Sequence, residues 1–123
     1  MAYAAGAEGK DVEAVEMALD HRQAALPPMV LSELLSDPNL PARLSQFLRG
    51  LPLLPIHNGF WERAGLLRAK LISRGYVAPL ADSLIAQSCL DHDIPLVTRD
   101  TDFRHFVRLA GLKLFPSRFT PGM

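Results

Sequence analysis

Pro79-Leu80-Ala81-Asp82-Ser83-Leu84-Ile85-Ala86 and, a few residues on, Ile94-Pro95-Leu96-Val97-Thr98-Arg99-Asp100-Thr101-Asp102-Phe103 are the stretches whose reading decides the fold. The first puts Asp82 in the opening turn of an apolar helix. The second puts Asp100 and Asp102 just past the end of a buried strand, Leu96-Val97. In a parallel α/β sheet both kinds of position lie at the carboxyl ends of the strands, where ligands normally bind. Carboxylates gathered there repel one another unless a cation sits between them. Oxygen-only ligands suit a hard ion such as Mg²⁺ or Mn²⁺. The chain reads first as a metal-dependent enzyme.

Working outward, helices alternate with short apolar runs. Asp11 can cap a helix carrying Val12, Val15, Ala18 and Leu19 on one face. Ala24-Ala25-Leu26-Pro27 is a short strand candidate, and Pro28 suits the first turn of the helix Met29 to Ser36, which Asp37-Pro38 ends. Leu40 to Arg49 reads as a further helix closed by Gly50, and Leu53-Leu54-Pro55-Ile56 as a strand whose prolines mark an edge. Asn58 can cap a long helix with the apolar stripe Phe60, Trp61, Ala64, Leu67 and Leu71, stopped by Gly75. Leu80 to Asp91 is the helix bearing Asp82. Phe103, Phe106, Val107 and Ala110 form the face of another, ending at Gly111, and Leu112-Lys113-Leu114-Phe115 gives a last strand. Strands alternating with helices predict a parallel sheet covered on both faces. The front is odd, because such folds usually open with a buried strand and none is evident.

Composition sets wide bounds. At 123 residues the chain makes a single domain over 1–123, with 117–123 as a tail, and it is long enough to bury a core without staples. Thirteen basic and thirteen acidic side chains cancel, so any polyanion site has to be a local patch. A single cysteine, Cys89, excludes an internal disulfide, fits a reducing cytoplasm and lies in a core pattern. No apolar run approaches the roughly 20 residues of a membrane span, and the N-terminus lacks the features of a signal peptide.

Each candidate site residue has a plainer role beside the chemical one. Glu33, among Met29-Val30-Leu31-Ser32 and Leu34-Leu35, is expected to be partly buried and to need a metal or basic partner; otherwise it faces solvent or pairs with an arginine. Asp82 alone would be a first-turn helix acid, and Asp100 could cap the helix holding Phe103 and Phe106. Their case rests on convergence, since acids from separate elements are not needed for capping but are needed to hold hard cations. Ser32, Ser83 and Thr98 could bond a metal-bound water or a phosphate, or simply cap locally. Arg99 and Arg104, with Arg108, Arg43 and Arg49, could line a groove for a phosphate backbone or merely solvate helix faces. His21, His57, His92 and His105 lack zinc spacing and read as surface or packing. There is no phosphate-binding glycine loop and no nucleophile elbow.

Pro27-Pro28-Met29-Val30-Leu31-Ser32-Glu33-Leu34-Leu35, then Asp82-Ser83-Leu84-Ile85-Ala86, then Leu96-Val97-Thr98-Arg99-Asp100-Thr101-Asp102-Phe103 resemble the successive signatures of PIN domains, over about residues 9 to 116. The nearest form is the VapC-type nuclease of bacterial toxin–antitoxin pairs. The resemblance implies an α/β fold, a three-layer α/β/α sandwich on a parallel sheet, and RNA cleavage with Mg²⁺ or Mn²⁺ in an acidic pocket. It implies that Glu33, Asp82 and Asp100 are catalytic metal ligands and Asp102 an accessory one, with Thr98 and Ser83 behind them. An antitoxin protein and a second copy of the chain are the implied partners.

The family opens with a central strand ending in Asp-Thr or Asp-Ser. Met1-Ala2-Tyr3-Ala4-Ala5-Gly6 resembles the segment after that strand, so the first strand and its aspartate are expected to be missing. Either the start was assigned too late or the protein is shortened and weakened. The alternative function is a catalytically degenerate PIN-like module that binds RNA or a partner protein. A phosphoacceptor receiver shares the size and layout, but the strand at Leu53 ends in Ile56-His57 and Lys113 precedes Leu114, which fits it poorly.

Overall fold

The structure is a computed structural model that describes residues 3–5, 24–98 and 103–115. Its centre is a parallel sheet of four short strands in the order β2-β1-β3-β4: β1 (Tyr3–Ala5), β2 (Ala24–Ala25), β3 (Leu96–Val97) and β4 (Leu114–Phe115). Ala4 faces Ala25 on one side and Leu96 on the other, and Val97 pairs with Phe115. The helices are α1 (Pro28–Leu35), α2 (Ala42–Arg49), α3 (Phe60–Ser73), α4 (Leu80–Asp91) and α5 (Arg104–Ala110).

The expectation of a missing first strand is corrected here. Tyr3–Ala5 fills the inner position between β2 and β3, so the slot is occupied although alanine favours strands poorly. An empty slot would leave the facing backbone N–H and C=O groups of two strands unsatisfied, a cost larger than a weak propensity. The strand brings no acid, because residues 3–7 read Tyr-Ala-Ala-Gly-Ala. The helix expected after Asp11 and the tail at 117–123 lie outside the described residues.

Other elements differ in instructive ways. The strand expected at Leu53–Ile56 shrinks to one parallel bridge between Leu26 and Leu53, at the outer margin of β2. Leu26 N–H donates to Pro52 O at 2.9 Å and Leu54 N–H to Leu26 O at 2.8 Å, and the prolines at 52 and 55 have no N–H to extend the ladder. The long helix starts after Gly59, whose φ of 82° turns the chain, and Asn58 does not cap it. Instead the Asn58 carbonyl accepts from Arg63 Nη1 at 2.8 Å. Phe60, Ala64, Leu67 and Leu71 are buried as the 3.6-residue period requires, but Trp61, a 100° step away, is 60% exposed.

α4 is buried from Ser83 through Cys89, almost all the way round, because α1 and α3 both pack on it. Leu26, Leu71, Ile85, Cys89, Leu96, Phe103, Phe106 and Leu112 meet in one core. Burial pushes the Cys89 thiol pKa far up, so it behaves as an inert core residue. Gly111, with φ 76°, closes α5 in the left-handed conformation that glycine adopts without strain. Among the described residues, no helix is long and apolar enough to cross a membrane.

Candidate active site

The parallel sheet gives every strand the same direction, so its carboxyl edge is one place. β2 runs through Leu26 and Pro27 directly into α1, which carries Glu33. α4 leads into β3, so the start of α4, with Asp82 in its first turn, lies at that same edge. β3 ends at Val97, and Thr98 follows it, 1% exposed. The chain then continues through Arg99, Asp100 and Asp102, which lie outside the described residues, into α5.

Local sequence explains these placements. Pro27 and Pro28 end the strand and start α1 without needing an N–H, and no acid occupies its first turn. Glu33 therefore sits a turn further along, between buried Val30 and Leu34 on one side and exposed Ser32 on the other. Its side chain is half-buried, with Oε1 shut off from solvent. Asp82, also half-buried, faces the positive end of the α4 dipole. The helices carrying the two acids pack on each other. Glu33, Asp82 and Thr98 are each engaged by other groups, so none is an idle polar side chain.

Ser83 is fully buried, and its hydroxyl donates to Pro79 O at 3.0 Å, the local bond of a helical serine. Arg104 is exposed as the first residue of α5, and Arg108 is exposed one turn later. Arg43 is exposed, while Arg49 donates to Ser45 Oγ at 3.2 Å along its own helix. Among the described residues no three His, Cys, Asp or Glu side chains gather as a metal site. Two carboxylates at one edge are what the described residues supply.

Some features left no periodic mark in the sequence. Arg63 grips Asp91 across the α3–α4 interface, bonding through Nε at 3.0 Å and Nη2 at 2.6 Å. The His57 and His92 rings lie 4.4 Å apart, and His92 Nε2 is 2.7 Å from Pro55 O, contacts of the packing kind expected for them. His21 lies outside the described residues. An apolar pocket of about 180 Å³ opens beside α1 between Met29, Ile56, Phe60, Trp61 and Leu84. The exposed Trp61 belongs to that pocket wall rather than to the core.

The sequence pattern of the PIN domain matches residues 2–109. The chain belongs to the PIN domain family. The solved structure of VapBC2 from Rickettsia felis, bound to a DNA fragment from their promoter, contains a chain similar to this one at TM-score 0.68 and 23% identity. That likeness covers 93% of this chain and 97% of the other, and at such identity it bears on the fold alone. No curated protein matches the chain. The PIN fold accounts for the order of strand, acid-bearing helix and buried strand β3 described above.

Proposed function

We propose that this PIN domain is a metal-dependent endoribonuclease of the VapC toxin type, hydrolysing RNA phosphodiesters. The three-layer α/β/α arrangement, the cytoplasmic location and the site assignments belong to this proposal. The observation that carries it is the shared edge: α1 and α4 pack together there, each presenting one half-buried carboxylate, beside the buried end of β3.

The donor set fits a hard divalent cation in kind, since Glu33 and Asp82 offer only oxygen. Asp100 completes the set, with Asp102 accessory, both shortly after Thr98. Held by these acids, Mg²⁺ or Mn²⁺ would supply Lewis-acid activation of water and positive charge to offset that of the phosphate. The chain does the rest. Glu33 has one carboxylate oxygen, Oε1, withdrawn from water, where a cation it met would be poorly screened. Asp82 sits in the first turn of α4, where the helix N-terminus favours negative charge. Thr98 and Ser83 stand behind the acids, and Arg99 and Arg104 steady the phosphate backbone.

The catalytically degenerate alternative has one observation in its favour: β1 contributes no carboxylate, since residues 3–7 read Tyr-Ala-Ala-Gly-Ala. Cleavage assays on RNA separate the two readings. Mn²⁺-dependent cleavage by the wild type, reduced about 100-fold or more in Asp82→Asn and Asp100→Asn, is the expected result. RNA binding without any cleavage selects the degenerate module, and cleavage unchanged in both variants discards the site.

The partner proposals are an antitoxin protein and a homodimer. The similar VapBC2 chain comes from a complex solved with a promoter DNA fragment. On this chain Trp61, Leu66 and Ile72 expose apolar surface along α3, the kind of surface that protein partners cover.

A further inference from the structure

We infer that a second pocket, between the α3–α4 turn and α5, receives one nucleobase of single-stranded RNA and so gives the nuclease its sequence preference. The inference rests on the nuclease reading above. The pocket has a volume of about 300 Å³ and is lined by Gly75, Tyr76, Val77, Pro79 and His105. Tyr76 and His105 stack with ring centroids 4.0 Å apart and planes 27° from parallel. That pair is a ready platform on which a third flat ring can continue the stack, the means by which single-stranded bases are held without base pairing.

The setting favours RNA over other flat ligands. Among the described residues no carboxylate lines the pocket, while exposed Arg74 directly precedes Gly75 and exposed Arg104 directly precedes His105. In a chain of zero net charge, two exposed arginines next in sequence to lining residues offer partners for the phosphates on either side of a bound base. The pocket also adjoins the catalytic edge. Pro79 caps α4, and Asp82 lies in the first turn of that helix, within about 5.4 Å of rise. A base in the pocket therefore belongs to a nucleotide next to the phosphate at the acids.

Two further observations support a built site. His105 Nδ1 is buried and makes no hydrogen bond among the described residues, and a buried polar atom of that kind calls for a partner. The turn is also held in shape: Arg68 Nε donates to Ala78 O at 2.7 Å and Tyr76 N–H to Leu71 O at 3.1 Å. A preformed platform spares the ligand the cost of ordering it.

The test measures binding of a short oligoribonucleotide, and of an abasic strand of equal length, to the full chain in Ca²⁺, with cleavage assayed separately in Mn²⁺. The wild type should prefer the base-bearing strand about tenfold. His105→Ala and Tyr76→Leu should erase that preference. So should Val77→Glu, which adds a charge at a position 85% exposed and so leaves the core alone. Equal affinity of the wild type for both strands, or a preference that survives all three substitutions, overturns the inference. A preference that is present and sensitive to them, in a chain that never cleaves RNA, upholds the pocket while removing the nuclease reading.

Discussion

Asp91 closes α4 with its carboxylate 9% exposed, gripped by both Nε and Nη2 of Arg63 and by Gln87 Nε2 at 2.8 Å. Burial by itself would raise its pKa. The hydrogen bonds from Arg63 and Gln87, with the charges of Arg63 and His57, outweigh burial and hold the carboxyl below its ordinary value. A carboxyl whose pKa is lower folded than unfolded stabilises the fold above the unfolded value, about 3.9 for Asp, and loses that contribution as pH falls through the folded one. Asp91→Asn should therefore cost about 1 to 3 kcal/mol at neutral pH. Urea unfolding should show this gap narrowing as the pH drops from about 4 to about 2; a gap constant across that range contradicts the assignment. None of this was legible beforehand, because Arg63 and Asp91 are far apart in sequence and each looks like an ordinary surface charge. Glu33 was legible, since an acid set among apolar neighbours has few places to go, and it is half-buried as expected.

At the scale of elements, α3 shows how a turn and a side chain are matched. Gly59 has φ 82°, and a methyl group there would fall 2.7 Å from Arg63 Nη1, the same guanidinium that donates to Asn58 O and holds Asp91. Gly59→Ala should cost about 1 to 2 kcal/mol from backbone strain, with more added by the displaced arginine. In a double-mutant cycle with Arg63→Ala, the steric part should disappear and the backbone part remain; strict additivity would contradict the contact. Helix positions were legible because apolar residues repeat at the helical period and glycine stops α3 and α5 where expected. The start of α3 was misread through Asn58, since the left-handed turn at Gly59 makes the glycine the N-cap and no side chain caps the helix. Trp61 was misread because size and apolarity suggest core, while its angular position places it at a pocket rim.

At the scale of the whole molecule, the parallel sheet turns a linear order of motifs into one edge. Pro27-Pro28 after β2, the first turn of α4 and Thr98 after β3 are distant in sequence, yet parallel topology sends all three to the same side. That much of the shared edge was legible, because alternation of strand and helix fixes direction. The inner strand was not, because Tyr3–Ala5 has neither the length nor the β-branched residues of a buried strand, and only its neighbours' need for backbone partners gives it a place. The central claim is that Glu33, Asp82 and Asp100 hold one divalent cation. Calorimetric titration of Mn²⁺ into the wild type and into Glu33→Gln, Asp82→Asn and Asp100→Asn tests it directly. The account predicts saturable binding by the wild type, weakened at least about tenfold by each substitution. Mn²⁺ affinity in the three variants equal to that of the wild type would contradict it.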